Sequence, residues 1–261
     1  MGATFVDSGA FAEYVKTPAE LSWVVPDGTF THEEAATMGC AFWTAVQALF
    51  HPTRLALVEP PEKTAKEEWV YIHGGSYERS CAIQLAVLAG YKVVTTASPR
   101  NFALVKSLGA SAVFDYKEPD VVTKIKAAAG DTIRSALDTI SLRETQEISA
   151  AVIAPGGGKV MHILGVIPEA SSRTDVERSY TLLYWALGRA FSFGPGNEQP
   201  VKPEDRAHMV QFLKKLPNLA NEGKIKPLPV KLWEGGLEAV PAGLQYMREG
   251  KVSAEKIVYR V

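Results

Sequence analysis

The sequence predicts an α/β fold built on a doubly wound parallel sheet, on three observations. Residues 69–100, WVYIHGGSYERSCAIQLAVLAGYKVVTTASPR, pass from an apolar run through the glycine pair Gly74-Gly75 into a helical apolar pattern and on into a second apolar run. This is strand, turn, helix, strand, the crossover unit of parallel sheets. The same alternation then repeats as far as residue 164, mostly with glycine between elements. With 46% hydrophobic residues in a chain of 261, there is enough apolar material to bury a sheet on both faces.

Taken in order, residues 3–23 mix apolar and polar positions around Gly9 and Pro18 and predict short strands. After the turn Pro26-Asp27-Gly28, Thr31-His32-Glu33-Glu34 opens a helix with a threonine cap and early carboxylates facing the helix dipole. A second helix covers 44–49, and a connector bearing proline and charge runs from His51 to Lys66. In the central unit, Ala82, Ile83, Leu85, Ala86 and Leu88 mark a helix that Gly90 ends, with the polar loop Tyr77-Glu78-Arg79-Ser80-Cys81 before it. Helices follow at 101–108, 121–129 and 144–154, and strands at 112–114, 134–140 and 159–164. Beyond a polar loop, a helix at 180–187, a sixth strand at 190–193 and a helix at 203–219 complete this part. The tail carries strands at 228–232 and 256–261 around a helix at 237–248.

Segments 1–45 and 223–261 are each too short to fold alone, so they are expected to form one discontinuous lobe beside a domain at 46–222. Twenty-eight basic and 29 acidic residues leave a net charge of -1 with no long single-sign run, which argues against nucleic-acid or polybasic membrane partners. Asp7, Glu13, Lys16 and Glu20 interrupt the first twenty residues, and no apolar run reaches spanning length, so the expected address is cytoplasmic. Cys40 and Cys81 stand apart from any CxxC or Cys/His cluster and predict neither a disulfide framework nor a zinc site.

The glycine turn followed by a helix is a place where a pyrophosphate meets free backbone N–H groups, although glycines at a strand end also serve plain tight turns. At the end of the second strand, Thr96-Ala97-Ser98-Pro99-Arg100 holds no carboxylate for ribose hydroxyls. A dinucleotide bound there would therefore be NADPH, with Ser98 and Arg100 on its 2′-phosphate and Asn101 capping the next helix; the alternative is a solvated arginine after a turn. Asp138 falls at the carboxyl end of the fourth strand, where open sheets bind ligands, or else caps the following turn. His73 reads as structural, and without a nucleophile elbow, an HExxH pair or paired carboxylates no catalytic residue is assigned.

Five stretches carry a resemblance: Gly9-Ala10-Phe11-Ala12-Glu13-Tyr14-Val15; Glu33-Glu34-Ala35-Ala36-Thr37-Met38-Gly39 with Thr44-Ala45; Gly74-Gly75-Ser76 with Ala82-Ile83-Gln84-Leu85-Ala86; Ser98-Pro99-Arg100-Asn101-Phe102 with Leu108-Gly109-Ala110 and Phe114-Asp115-Tyr116; and Gly250-Lys251-Val252-Ser253-Ala254-Glu255-Lys256. In that order they resemble the medium-chain dehydrogenase/reductases, specifically the zinc-free fungal branch that includes trans-acting enoyl reductases of polyketide synthases. The resemblance implies a Rossmann-type domain at 46–222, a remnant of a GroES-like substrate lobe at 1–45, and that lobe's C-terminal part at 223–261. It implies NADPH-dependent reduction of an activated C=C bond, without metal, on a small-molecule or carrier-bound polyketide enoyl thioester in secondary metabolism.

By the same resemblance Gly74, Gly75, Ser76 and Arg79 line the pyrophosphate turn, and Tyr116 lies near the adenosine, unless it is only a half-buried sheet-end tyrosine. Ile163 and Leu164 lie under the nicotinamide or are plain strand core, and Ser253 with Ala254 closes the nicotinamide side or begins a turn. Relatives start with most of the GroES-like domain, whereas this chain starts just before that domain's last segment. They also have smaller residues where Tyr77 and Glu78 stand here, so weak NADPH binding is expected. The alternative is a non-redox cyclase, isomerase or inactive scaffold. Apolar edges near 11–15 and 228–232 suggest a homodimer or docking onto a polyketide synthase.

Overall fold

A computed structural model describes residues 9–74 and 77–261, with the backbone alone for residues 77–79. The first helix, α1 (His32–Ala36), begins with the capping box its sequence predicts. The Glu34 amide donates to Thr31 Oγ1 at 3.2 Å, and the Glu34 carboxylate accepts from the Thr31 amide at 2.8 Å, so two otherwise unpaired donors are satisfied reciprocally. Thr31→Ala removes one of these bonds and is expected to lower stability by about 1 kcal/mol in urea unfolding.

Of the strands expected over residues 3–23, none forms among the described residues 9–23, which hold bends and one 3-10 turn, Ala19–Leu21; residues 3–8 lie outside the described residues. Their mixed pattern finds no neighbouring strand, and Phe11, Tyr14 and Val15 stay exposed.

The chain divides into two compact units, 41–182 and 1–40 with 183–261. The larger ends well before the residue 222 expected from the sequence, because the segment after residue 182 packs with the chain ends. It opens with the body of α2 (Cys40–Phe50), whose residues 41–50 are buried almost throughout. There follow β1 (Trp69–His73), α3 (Tyr77–Leu88), β2 (Lys92–Ala97), α4 (Phe102–Ser107), β3 (Ala112–Asp115), α5 (Val121–Ala128), β4 (Ser135–Asp138), α6 (Arg143–Ala151), β5 (Gly158–His162) and β6 (Val176–Tyr180). The six strands are all parallel, in the order β3-β2-β1-β4-β5-β6. This is a Rossmann-type sheet whose order reverses between β1 and β4, so its ligand crevice is expected at their carboxyl ends.

Tyr71, Val94, Ala136 and Val160 line one face and bury against Ile125 of α5 and Val152 and Ile153 just after α6. Ile72, Leu137 and Met161 are buried on the other, and α3 packs across β1 and β2. Two expectations are corrected here. The sixth strand is β6, not residues 190–193, and the helix expected at 180–187 is only a 3-10 turn, Leu183–Leu187. The strand VERSY buries only Val176, because the edge of the sheet asks for little burial, so its pattern gives no strand signal. Helix α3 also starts at Tyr77, which makes the expected loop 77–81 the first turns of a helix. The apolar positions that mark the helix begin only at Ala82, so its polar first turns give no signal.

In the other unit β7 (Phe191–Ser192) and β8 (Glu198–Gln199) form an antiparallel pair. The helix expected at 203–219 is two helices, α7 (Pro203–Leu213) and α8 (Leu216–Asn221), and α7 packs on the 3-10 turn at 183–187. The tail holds β9 (Val230–Trp233), α9 (Val240–Arg248) and β10 (Lys256–Tyr259), with β9 and β10 parallel to one another.

Candidate functional site

Parallel pairing brings residues of successive strands to one level at the carboxyl edge. His73, Asp138, His162 and Tyr180 are consecutive cross-strand partners and point to the same face of the sheet. Thr96 of β2 joins them with Oγ1 3.3 Å from His73 Nδ1. Beneath, the Tyr71 hydroxyl lies 2.6 Å from the same nitrogen and 3.3 Å from Thr96 Oγ1. Burial pushes the Tyr71 phenol far above its ordinary value, so it remains a neutral hydrogen-bonding group.

Asp138 is the anchor of this row. Its Oδ1 accepts from the amides of Ile140 and Ser141 at 3.0 and 2.9 Å, and its Oδ2 accepts from Thr145 Oγ1 of α6 at 2.8 Å. Burial alone would raise the carboxyl, but His162, the two amides and the nearby His73 ring outweigh it and hold it below the usual carboxylate value. His162 is fully buried, with Nδ1 3.4 Å from Asp138 Oδ2 in a close contact that is not an aligned hydrogen bond. Its Nε2 has no partner among the described residues. Asp138 therefore caps the turn after β4, the structural alternative weighed for it, and does so at the crevice edge.

Around the first half of the sheet, Gly74 is buried immediately after β1, and α3 begins three residues later. Gly75 and Ser76 lie outside the described residues, as does the side chain of Arg79. Ser98 is half-buried at the end of β2, and Arg100 is exposed in the 3-10 turn Pro99–Asn101. No carboxylate stands in that turn. The nearest on the adjoining strand, Asp115, is Ala97's cross-strand partner and accepts from the Lys117 amide at 3.0 Å. Asn101 does not cap as expected: it is buried, it precedes α4 with φ -103° and ψ 2°, and its side chain makes no capping bond. Tyr116, 38% exposed, follows β3 with Lys117 Nζ 5.9 Å from its ring centre.

On the second half, Ile163 and Leu164 lie beyond β5 rather than inside it, which corrects their reading as strand core. Leu164 is 53% exposed, an apolar surface at the sheet's edge. Ser253 and Ala254 belong to the other unit, just before β10, where Ala254 has a left-handed φ of 56°. Nothing in the sequence singled out Ser141, Gln146 or His162. The signal lay in register: once Asp138 ends β4, its partner on β5 and the turn that follows share its edge. Among the described residues no group of three His, Cys, Asp or Glu side chains could hold a metal ion. No helix there is long and apolar enough to cross a membrane.

A family model described as zinc-binding dehydrogenase matches residues 80–203. The trans-enoyl reductase RAP1 of Pyricularia oryzae is 34% identical over 259 residues, which cover 98% of this chain and 71% of that protein. The chain belongs to the trans-enoyl reductase family. Within the medium-chain dehydrogenase/reductases, the enoyl reductase CurK superposes with a TM-score of 0.68 at 25% identity, over 91% of this chain and 65% of that one. A mycobacterial protein solved with NADPH gives the same TM-score at 22% identity, over 97% of this chain and 72% of that one, a likeness of fold. This trans-enoyl reductase relative thus spans somewhat under three quarters of its curated counterpart and 65% of CurK.

The residues present fit a 2′-phosphorylated dinucleotide. The turn after β2 offers a hydroxyl and an exposed guanidinium in place of a carboxylate, and α3 begins three residues after Gly74.

Proposed function

We infer that this chain catalyses NADPH-dependent reduction of an activated C=C bond, an enoyl thioester carried by a polyketide synthase partner. The observation that carries this reading is membership of the trans-enoyl reductase family along nearly the whole chain. When bound, NADPH supplies a hydride to the β-carbon, and the α-carbon takes a proton. The chain's own part is to bind and orient. The start of α3 faces its amides toward the pyrophosphate, Ser98 and Arg100 take the 2′-phosphate, and Tyr116 flanks the adenosine. The row His73, Asp138 and His162 keeps the crevice floor dry and fixed. A cytoplasmic setting, zinc-free chemistry and self-association or synthase docking through the apolar residues 11–15 complete the proposal.

The non-redox alternative, a cyclase, isomerase or inactive scaffold, drew on a shortened substrate lobe and an altered loop at 77–81; of these, residues 77–81 are helical. The deciding experiment incubates the protein with a carrier-bound enoyl thioester and NADPH deuterated at C4. The expected product is two hydrogens heavier and carries one deuterium at the β-carbon. Conversion of the substrate without that gain, in buffer free of nicotinamide, would overturn the reading.

A further inference from the structure

The loop after β5 is held in an unusual way. Ser141 Oγ accepts from the amides of Ile163 and Leu164 at 3.0 and 3.3 Å. Gln146 Nε2 donates to the Gly165 carbonyl at 3.0 Å and to the Ser141 carbonyl at 3.1 Å, and its Oε1 accepts from the Ile167 amide at 3.0 Å. Two buried polar side chains thus satisfy four backbone groups of one short loop. Ser141 does this from a left-handed φ of 65°, a conformation that a residue with a Cβ adopts at a cost and that tends to persist where a site needs it. From β6, Arg178 adds bonds to the carbonyls of Ile167 and Pro168 at 2.9 Å each.

The position of this loop gives the arrangement its meaning. In a doubly wound sheet the two nucleotides of a dinucleotide lie on opposite sides of the switch point. With the pyrophosphate turn after β1 and the 2′-phosphate turn after β2, the nicotinamide falls to the side of β4, β5 and β6. The loop after β5 is there, presenting Leu164.

We propose that Ser141 and Gln146 are positioning residues, a buried clamp that holds Ile163 and Leu164 as a rigid platform against which the nicotinamide ring is set for transfer. This rests on the reductase reading above. The clamp touches neither cofactor nor substrate; it acts through the backbone of the loop.

The test uses the full chain and two variants. Ser141→Gly removes the hydroxyl while relieving the left-handed backbone, which protects the fold. Gln146→Glu keeps the acceptor for Ile167 and deletes the donor to Gly165, and it serves if the glycine variant does not fold. Amide hydrogen exchange without cofactor should be about tenfold faster at Ile163 and Leu164 in the first variant, which removes their acceptor, and across the Gly165–Ile167 stretch in the second, where the loop opens more often once the Gly165 carbonyl loses its tether. The interior amides of β4 and β5 should be unchanged. Adding NADPH to the wild type should slow exchange at Leu164.

With a carrier-bound enoyl thioester, kcat should fall roughly tenfold or more while the dissociation constant for NADPH changes less than threefold, since misplacement harms transfer more than binding. Unchanged local exchange would refute the clamp. Faster local exchange with unaltered kcat would refute its positioning role. If the wild type shows no NADPH-dependent turnover, the reductase reading fails, and NADPH protection at Leu164 still decides whether the ring reaches this platform; its absence overturns the proposal.

Discussion

Asp138→Ala is expected to lower folding stability by about 3–5 kcal/mol, the largest single loss in the sheet's carboxyl edge. The carboxylate, itself fully buried, takes three hydrogen bonds, and alanine leaves the buried Ser141 amide and the half-buried Ile140 amide and Thr145 hydroxyl without this acceptor, with a void where the carboxylate stood. Asp138→Asn keeps one acceptor oxygen, so its cost should be lower, about 1–3 kcal/mol. Urea unfolding of the three proteins at neutral pH measures both differences.

The same group predicts an acid response. Its folded-state value is held below the ordinary one, so its contribution is present above the unfolded value and is lost as pH falls through the folded value. Stability should therefore drop below about pH 4. His73 from β1 and His162 from β5 face the carboxylate, and the asparagine variant should show a shallower acid limb than the wild type. An identical limb in both would mean that other carboxylates set it.

Why Asp138 was legible and its partners were not follows from how each is encoded. β1 and β4 read as apolar runs ended by a polar residue, which makes His73 and Asp138 stand out, whereas the run expected at 159–164 continues past His162 and hides it inside a strand. The edge strand β6 has no such contrast. The apolar stretch just after it resembles a helix in composition, but only a 3-10 turn forms there. Ser141 and Gln146 are ordinary polar residues in a loop and on a helix; their meaning arises when β4 and β5 lie side by side and the loop after β5 comes within hydrogen-bonding reach. Local signals do not carry contacts made across 19 to 22 residues of chain. The capping box of α1 was legible for the opposite reason, since both its bonds close within three residues.

Arg100→Ala is expected to weaken NADPH binding by about 1–2 kcal/mol, roughly five- to thirtyfold, while leaving NADH nearly unaffected. The argument is local. The chain leaves β2 through Ala97 into Ser98, and the following turn exposes Arg100 where a ribose-binding carboxylate would otherwise stand. A guanidinium can pair with a 2′-phosphate through two hydrogen bonds, but it has nothing comparable to offer a ribose hydroxyl. Because Arg100 is exposed, its attraction is partly screened, so the loss should shrink as ionic strength rises. Nicotinamide fluorescence titrations with both cofactors, at low and high salt, give the four numbers needed. The ratio between cofactors carries the test, since damage to the fold or to the pyrophosphate turn would weaken NADPH and NADH together. Equal loss for both would move the 2′-phosphate away from this turn and leave Arg100 a solvated surface residue.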